Sequence, residues 1–573
     1  MTLKILLFFV ILVLPSFALA QDNLSEVRSF NIESSYDLSK RSELSAILIK
    51  VSSKLYWYAD NDWWGKLTSE EQDNAKASLN VLTEEFENKI YPILTSVFGS
   101  EWNPGIDKDT RIAILLHPMN KNFGGYTNTS DEYPKIQIPR SNEREMIYLN
   151  SDYLNTEIIR SFLAHEFVHL ITFNQKDRIF NVSEDVWLNE AMAEYASTLL
   201  GYDSNYNGTN LQIRVKDFLN YPFDSLTEWR ESPADYGVAN LFIQYLVDHY
   251  GVKILTDSLK MRKTGISSLN AALLQNGFQT DYSQIFTEWA IATLINDCAI
   301  SEKYCYFNNN LKDLRVTPFL NYLPLVGDSL LSVNNATKDW AGNWHKFVGG
   351  QGVFKLKFDG SSDVNFKVPY IVTNSKGEYS VGSLTLDQNK DGEIVLDDFG
   401  SQVVSLMIIP MAQNKNSDFL GIQPSYSFLW SASAQKEQDE NPILFPPIKS
   451  ISQMSKEEII ARISEIKNLI LQLQSQLAAL TGSVSCSQIT QNLYFGMTDN
   501  SQVKCLQGFL KSQGSGIYPE GIANGNFYSL TQKAVIRFQE KYASEILAPA
   551  GETKGTGYVG PLTRAKVNEL LTR

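Results

Sequence analysis

His165-Glu166-Phe167-Val168-His169 is the most informative stretch of this chain. The residues around it predict an α-helix, in which positions four apart lie nearly one above the other. His165 and His169 can therefore present two imidazole nitrogens to a single tetrahedral zinc ion. Glu166 can reach the water on that ion as a general base. Because the chain has only 5 histidines, two of them at this spacing around a glutamate indicate a metal site.

A second helical segment, residues 186–196, supplies more acidic side chains and reads V-W-L-N-E-A-M-A-E-Y-A. H-E-x-x-H followed by W-L-N-E-x-x-x-E-Y resembles the gluzincin zinc metallopeptidases of the thermolysin-like clan, in particular their secreted hyicolysin-type branch. The resemblance implies that Glu190 is the third zinc ligand and that Glu194 holds a ligand histidine by a hydrogen bond. Three protein ligands leave one position for water, which is the catalytic arrangement. No H-x-x-G-x-x-H extension follows His169, so the metzincin pattern is excluded.

Further residues are candidates for binding the substrate and its transition state. Residues 235–246, D-Y-G-V-A-N-L-F-I-Q-Y-L, resemble the Y-G-x-x-x-L-F-x-x-Y-L helix of this family. Tyr236 is the predicted donor to the oxyanion, with His249 as the alternative, and a purely structural role for Tyr236 stays open. Gly124 to Asn128 is the predicted edge strand along which a peptide would lie, with a surface turn as the alternative.

The fold class predicted for the whole chain is multidomain. Residues 21–312 begin with strand-like runs and continue as helices, which is the order of an α+β gluzincin peptidase domain. Residues 316–435 alternate short strands with Gly, Asn and Asp turns, which predicts a β-sandwich-like accessory domain.

One loop of that accessory region has the pattern of a calcium site. Asp387, Asn389, Asp391 and Asp398 follow the D-x-N-x-D-G-x-I spacing of an EF-hand loop. No flanking helices are evident, and N-x-D-G is also ordinary hairpin-turn chemistry. Calcium and a plain turn therefore remain alternatives.

The pattern of the C-terminal part predicts a linker, a helix and a small module. Residues 436–454 are a Pro-rich linker, and residues 455–481 carry apolar residues in alternating steps of four and three, which predicts a coiled-coil-like helix. Such a stripe needs a partner, either in a weak parallel dimer or against its own neighbour. Residues 484–573 resemble the three-helix peptidoglycan-binding domain, with L-Q-x-x-L, G-x-F and T-x-x-A-V-x-x-F-Q elements. Its predicted contacts with sugar or stem peptide are Tyr518, Tyr528 and Tyr558, and a helical bundle with another ligand is the alternative.

The ends and the cysteines indicate export. Residues 1–20 have a basic start, a short apolar core and an A-x-A end, which predicts a cleaved secretory signal peptide; no other stretch is long enough to span a bilayer. The net charge of −14 argues against nucleic acid or an anionic membrane as the main partner. The 4 cysteines suit an oxidising compartment. Proximity favours Cys298–Cys305 and Cys486–Cys505, although two other connectivities exist.

Together these patterns predict a secreted, wall-associated zinc endopeptidase that hydrolyses protein substrates and binds peptidoglycan through its last module. One alternative is hydrolysis of the peptide crosslinks of peptidoglycan itself. The other is a wall-binding scaffold without activity, which the complete set of Glu166 and ligand residues disfavours.

Overall fold

The computed structural model describes residues 22–324, 329–419, 421–435, 488–497, 500–514, 516–519 and 521–571. It forms two compact units, Met1–Glu440 and Asn441–Arg573. The predicted signal peptide, the Pro-rich linker and the coiled-coil-like helix with its dimer lie outside the described residues. No described helix is long and apolar enough to cross a membrane.

The first unit begins with a six-stranded sheet in the order β1-β2-β3-β4-β6-β5. Strands β3, β4 and β6 are parallel to one another and buried along their whole length, as expected for strands covered on both faces. The remaining pairs are antiparallel, and β5 forms one edge. The strands are β1 (Val27–Asn31), β2 (Glu43–Val51), β3 (Leu55–Asp60), β4 (Ile112–His117), β5 (Gly125–Tyr126) and β6 (Met146–Asn150).

Helices dominate the second half of this region. They are α1 (Asn61–Trp64), α2 (Ser69–Glu85), α3 (Tyr91–Phe98), α4 (Ile159–Thr172), α5 (Val186–Leu199), α6 (Asn210–Asn220), α7 (Pro233–Tyr250), α8 (Lys253–Leu259), α9 (Gly265–Gln275) and α10 (Tyr282–Ile295). Helix α4 is mainly apolar in sequence, is buried on nearly every side and continues as a π-helical segment, Phe173–Arg178. A helix of that composition belongs inside the protein. The prediction of a mixed sheet followed by a helical region is confirmed.

The β-rich region that follows differs from a sandwich. Nine of its strands belong to one sheet, and β11 and β16 form a separate two-stranded ladder. One edge of β15 pairs with β12, while its other edge meets β14 at Val403 and then β9 at Leu406–Ile408. The nine-stranded sheet therefore curls into a near-barrel instead of dividing into two facing sheets. This corrects the β-sandwich prediction. The strands are β7 (Phe319–Leu323), β8 (Ser329–Lys338), β9 (His345–Gly349), β10 (Gly352–Gly360), β11 (Phe366–Lys367), β12 (Pro369–Asn374), β13 (Tyr379–Ser383), β14 (Asp391–Phe399), β15 (Val403–Ile408), β16 (Met411–Ala412) and β17 (Ser425–Gln435).

This near-barrel packs directly on the helical region. Trp340 and Trp344 belong to the same hydrophobic core as the helices. The Trp340 ring lies 4.6 Å from that of Tyr282 in α10, and Trp344 Nε1 donates a hydrogen bond of 2.9 Å to the carbonyl of Ala290. The two regions therefore share one core.

The disulfides agree with the pairing by proximity where the structure describes them. Cys298 and Cys305 are joined, as predicted. Cys505 is also disulfide-bonded, and its predicted partner Cys486 lies outside the described residues.

The second unit contains the three predicted helices and one extra helical turn. They are α11 (Ser501–Ser512), α12 (Ser529–Lys541), α13 (Ala543–Ile546) and α14 (Pro561–Leu571). Two buried glutamines repeat one arrangement: Gln507 accepts a hydrogen bond from the backbone of Gly525, and Gln539 from that of Gly557, 18 residues downstream in each case. The two glutamines thereby fix the loops that precede α12 and α14.

The tyrosines of this unit differ in exposure. Tyr518 is only 2% exposed, and its hydroxyl donates to the carbonyl of Ile522. Its prediction as a surface contact is therefore wrong, because the ring fills the core of the unit. Tyr528 and Tyr558 are exposed.

Candidate metal centre

Helix α4 places the two histidines of the pentapeptide on the same face. His165 and His169 are one turn apart, and their ring centroids are separated by 4.9 Å. The helix fixes both histidines on this face, and the helix itself is buried on almost every side. The local geometry predicted from the spacing is confirmed.

Glu190 on α5 completes a set of three donors. Its Oε2 lies 3.2 Å from Nε2 of His165 and 3.7 Å from Nε2 of His169. One ligand atom from each of the three residues falls within 4.8 Å of the others, and they form the one such group among the described residues. Oε2 of Glu190 is buried and has no hydrogen-bond partner of good geometry in the described part of the chain. Two imidazoles and one carboxylate around a shared point fit a zinc ion with an open coordination position.

The outer nitrogen of each imidazole has its own acceptor. His165 Nδ1 lies 3.4 Å from Oε1 of Glu194, and His169 Nδ1 lies 3.2 Å from Oδ1 of Asn189. With the proton held on Nδ1, the lone pair of each Nε2 faces the shared point. The sequence pattern included Asn189 but assigned it no role.

Glu194 is itself fixed by donors from two other helices. It is 1% exposed. Arg214 in α6 donates hydrogen bonds to both of its oxygens, at 2.9 Å and 2.8 Å. Asn210 donates to Oε2 at 2.7 Å, and Asn240 in α7 donates to the same oxygen at 3.1 Å. Burial favours the neutral acid, but Arg214 and His165 hold the pKa of Glu194 well below its usual range. Sequence reasoning missed all three donors, since nothing local links them to Glu194.

Glu166 lies beside this group and is almost fully buried. Burial raises its pKa to about 8; the charges of Glu190 and Glu194 act in the same direction, while His165 opposes them. A divalent cation at the shared point would favour the ionised form, which a general base requires.

Two tyrosines lie near the metal centre. The ring of Tyr236 in α7 lies 6.5 Å from that of His165 and under the guanidinium of Arg214 at 4.5 Å. Burial and Glu190 raise the pKa of Tyr236, so its hydroxyl stays protonated as a donor.

Tyr36, which the sequence analysis did not single out, lies in the loop that connects β1 to β2, and its ring centroid is 4.7 Å from that of Tyr126. Burial raises the pKa of Tyr36 to about 12, and nearby carboxylates including Glu166 add to this effect.

The alternative donor, His249, lies elsewhere. Thirteen positions along α7 separate it from Tyr236, about 20 Å in a helix. Its Nε2 donates to the carbonyl of Cys305 at 3.0 Å, and its ring packs on Tyr245 and Phe307. His249 therefore anchors the disulfide loop and has no place at the metal centre.

Two residues of the predicted edge strand, Gly125 and Tyr126, form β5 next to Glu166. Gly125 and Tyr126 pair antiparallel with Leu149 and Tyr148 of β6, at the end of the sheet. A Cβ at position 125 would lie 2.6 Å from the carbonyl oxygen of Tyr148 and 3.2 Å from Cγ of Glu166. Glycine thus allows the strand to pass close to the glutamate, and the surface-turn alternative is wrong.

Calcium is not shown, and the four predicted calcium ligands do not come together as an EF-hand loop. Asp391–Phe399 is strand β14, so Asp391 and Asp398 stand at opposite ends, about 24 Å apart at the rise of an extended chain. Oδ1 of Asp387 accepts hydrogen bonds from the backbone N–H groups of Asn389 and Asp391. The D-x-N-x-D-G stretch is a tight turn closed by the backbone bond from Lys390 N–H to the carbonyl of Asp387, and its carboxylates cannot surround one ion together with Asp398.

Comparison with known proteins identifies one curated relative. The chain is 28% identical over 255 residues to the neutral metalloprotease ShpI of Staphylococcus hyicus, a match that covers 40% of this chain and 53% of that protein. The chain therefore spans about half the length of this relative. It is distantly homologous to that metalloprotease and carries the HxxxH…E arrangement of zinc-ligand residues. No family model matches.

Solved structures give weak similarities. The pre-peptidase C-terminal domain of a Bacillus anthracis collagenase aligns with 20% of this chain and 96% of its own, at 7% identity and a TM-score of 0.15. The periplasmic lysozyme inhibitor PliG of Aeromonas hydrophila aligns with 20% of this chain and 98% of its own, at 10% identity and a TM-score of 0.14. No functional argument follows from similarities of this size.

Proposed function

We propose that this protein is a secreted zinc-dependent endopeptidase of the gluzincin type that cleaves protein substrates. The observation that carries the proposal is the convergence of His165, His169 and Glu190 within 4.8 Å, with Glu166 beside them. The homology to a neutral metalloprotease supports it. We assign these three residues as the zinc ligands and Glu166 as the general base. Glu194 is assigned as the residue that holds His165 in place through its Nδ1.

In the proposed reaction, side chains of this protein transfer protons at the scissile bond, donate a hydrogen bond to the oxyanion and orient the metal ligands. A zinc ion bound by the three ligands would polarise the attacking water and the scissile carbonyl. Glu166 accepts a proton from that water and passes it to the leaving amine. The hydroxyl of Tyr236 donates a hydrogen bond to the oxyanion. Glu194 and Asn189 keep the two imidazoles in the tautomer that binds metal through Nε2.

The edge strand offers a binding mode for the substrate. The outer edge of Gly125–Tyr126 has no further strand in the described sheet. An extended peptide that pairs with this edge would pass the Glu166 carboxylate, since Gly125 lies against it. Main-chain pairing of this kind favours extended protein segments over the branched peptides of a cell wall.

We further propose that the protein is exported and tethered to the cell wall. The first twenty residues support export by their signal-peptide pattern. The second unit supports tethering by its sequence resemblance to peptidoglycan-binding modules and by the exposed aromatic rings of Tyr528 and Tyr558. Such a tether would raise the concentration of the enzyme near wall-associated substrates. Hydrolysis of peptidoglycan crosslinks is the second candidate activity.

The test compares casein hydrolysis by the full protein, a Glu166→Gln variant and a Glu157→Gln control, whose carboxylate is exposed. Zinc content is measured on all three. We expect one zinc per chain in each, casein cleavage by the wild type and by Glu157→Gln, and a loss of at least about a thousandfold in Glu166→Gln. Zinc binding without casein cleavage, accompanied by clearing of purified sacculi, would contradict the proposed substrate and favour the crosslink activity. A Glu166→Gln variant as active as the wild type would contradict the assigned base.

A further inference from the structure

Glu228 is a buried carboxylate between α6 and α7 that serves none of the roles assigned above. Its side chain is 0% exposed. Oε1 accepts from Nε of Arg230 at 2.8 Å and from Nζ of Lys338, and Oε2 accepts from the backbone N–H of Gln423 at 2.7 Å. Lys338 and Gln423 both belong to the near-barrel region. Three donors from two regions therefore meet on one carboxylate.

The same stretch makes backbone contacts with the near-barrel. The N–H of Leu226 donates to the carbonyl of Trp340 at 2.9 Å, and Oγ of Ser225 donates to the carbonyl of Asp339 at 2.7 Å. Residues 225–231, which we call the wall segment, are thus held by the end of β8 and the residues after it. Such a segment has no sheet or helix of its own to fix its position.

The wall segment continues directly to the metal centre. The ring of Trp229 meets the ring of Tyr236 edge to face at 4.9 Å. Tyr236 lies 6.5 Å from His165 and under Arg214, the residue that grips Glu194. Lys338 is therefore linked through Glu228 and the adjacent Trp229 to Tyr236, which lies beside the proposed ligand His165.

We propose that Glu228 is a positioning residue, which with Lys338 and Gln423 fixes Trp229 and Tyr236 at the metal centre and makes the near-barrel an integral part of the catalytic unit. The inference rests on the proposed function for its effect on turnover. Its structural basis is independent of it, because a buried carboxylate with three donors resists displacement, and loss of one donor leaves a buried charge uncompensated. The metal ligands themselves lie on α4 and α5, which are not part of the wall segment.

The variants separate positioning from folding. Glu228→Gln keeps the shape of the side chain but weakens its hold on Lys338, and Lys338→Met removes one donor. Lys338→Arg is the conservative variant that restores a cation. Lys376→Met, on an exposed turn of the same region, is the matched control.

Two measurements are made on the full protein: hydrogen exchange by mass spectrometry, and kcat with KM on a casein-derived peptide. In Glu228→Gln and Lys338→Met we expect faster exchange in residues 222–236, unchanged exchange in α4 and α5, unchanged zinc content and a kcat lowered about tenfold, since small displacements of catalytic groups cost this much or more. Lys338→Arg should recover most of the kcat, and Lys376→Met should match the wild type.

Three outcomes would overturn the inference. The first is unchanged exchange in residues 222–236, and the second is faster exchange there with an unchanged kcat. The third is faster exchange throughout the first unit of Lys338→Arg, which would make Lys338 a general folding residue. A wild-type protein that binds zinc but cleaves neither casein nor the peptide would contradict the proposed function. The exchange data would then decide alone whether Glu228 holds the wall segment.

Discussion

Nδ1 of His165 lies 3.4 Å from Oε1 of Glu194, on the side of the imidazole ring that faces away from the shared metal position. Glu194 is in turn held by Arg214 through two hydrogen bonds. His165 in α4, Glu194 in α5 and Arg214 in α6 therefore form one continuous series of contacts. The orientation of this candidate metal ligand depends on an arginine 49 positions further along the sequence.

Glu194→Gln should weaken zinc binding while preserving the fold. The amide keeps the size of the side chain but loses the charge that stabilises the protonated Nδ1 side of His165. We expect the affinity for zinc to fall about 10- to 100-fold, as for other residues that support metal ligands. Competition with a fluorescent chelator measures this, with Glu157→Gln as the control. An unchanged affinity would show that Glu194 has only a structural role.

Zinc removal should lower the thermal stability of the first unit. Burial raises the pKa of Glu166, and the carboxylates of Glu190 and Glu194 raise it further. This buried negative charge favours a cation at the site. At zinc concentrations about a hundred times the dissociation constant, binding should stabilise the folded state by about 2.7 kcal/mol. Differential scanning calorimetry with a chelator, and then with zinc restored, measures the shift in Tm. His165→Ala should show no zinc-dependent shift, and a wild type that behaved like this variant would argue against the site.

Gly125→Ala should reduce activity more than stability. The new Cβ would meet the carbonyl oxygen of Tyr148 at 2.6 Å, so β5 must move away from β6 and from Glu166. We expect the kcat/KM on a peptide substrate to fall by at least about tenfold, with zinc still bound. Gly508→Ala is the control, because nothing lies within 4 Å of a Cβ added there. If kcat/KM were unchanged, substrate binding along this edge would be excluded.

His345 should make the first unit sensitive to acid. This residue is 4% exposed among Phe319, Phe428 and Trp430, and neither ring nitrogen has a hydrogen-bond partner in the described part of the chain. Burial lowers its pKa to about 4. The folded state thus binds the proton more weakly than the unfolded chain, so stability is full above the unfolded pKa of about 6.5 and is lost as the pH falls towards 4.

The measurement is urea unfolding at pH 7 and pH 5 for the wild type and His345→Phe. Between these values the wild type should lose about 2 kcal/mol more than the variant, from the titration of this one group. Equal losses in the two proteins would show that His345 does not sense the pH change. The comparison within one pair of proteins cancels the titration of the other groups.

Several features of the site follow from local sequence periodicity. The turn of a helix alone brings His165 and His169 to one face and sets Glu190 and Glu194 one turn apart, so the motif could be interpreted without the fold. The runs that form β3, β4 and β6 are likewise recognisable as strand-like, and their apolar composition suits the two covered faces that the structure shows. The secondary structure of the C-terminal unit was predictable for the same reason, although the burial of Tyr518 was not.

What the sequence determined by itself was therefore the chemistry of the metal centre: which side chains can bind zinc, and which glutamate can act as the base. Tertiary structure alone decided what surrounds them, namely the grip of Arg214 on Glu194, the distance of His249 from the site, the separation of Asp391 and Asp398 by a strand, and the contact of Glu228 with Lys338. The physical reason is that helical and strand periodicity act over a few residues. Contacts between distant segments depend instead on how whole faces pack, and the packing that buries Glu228 under the near-barrel has no counterpart in any local pattern.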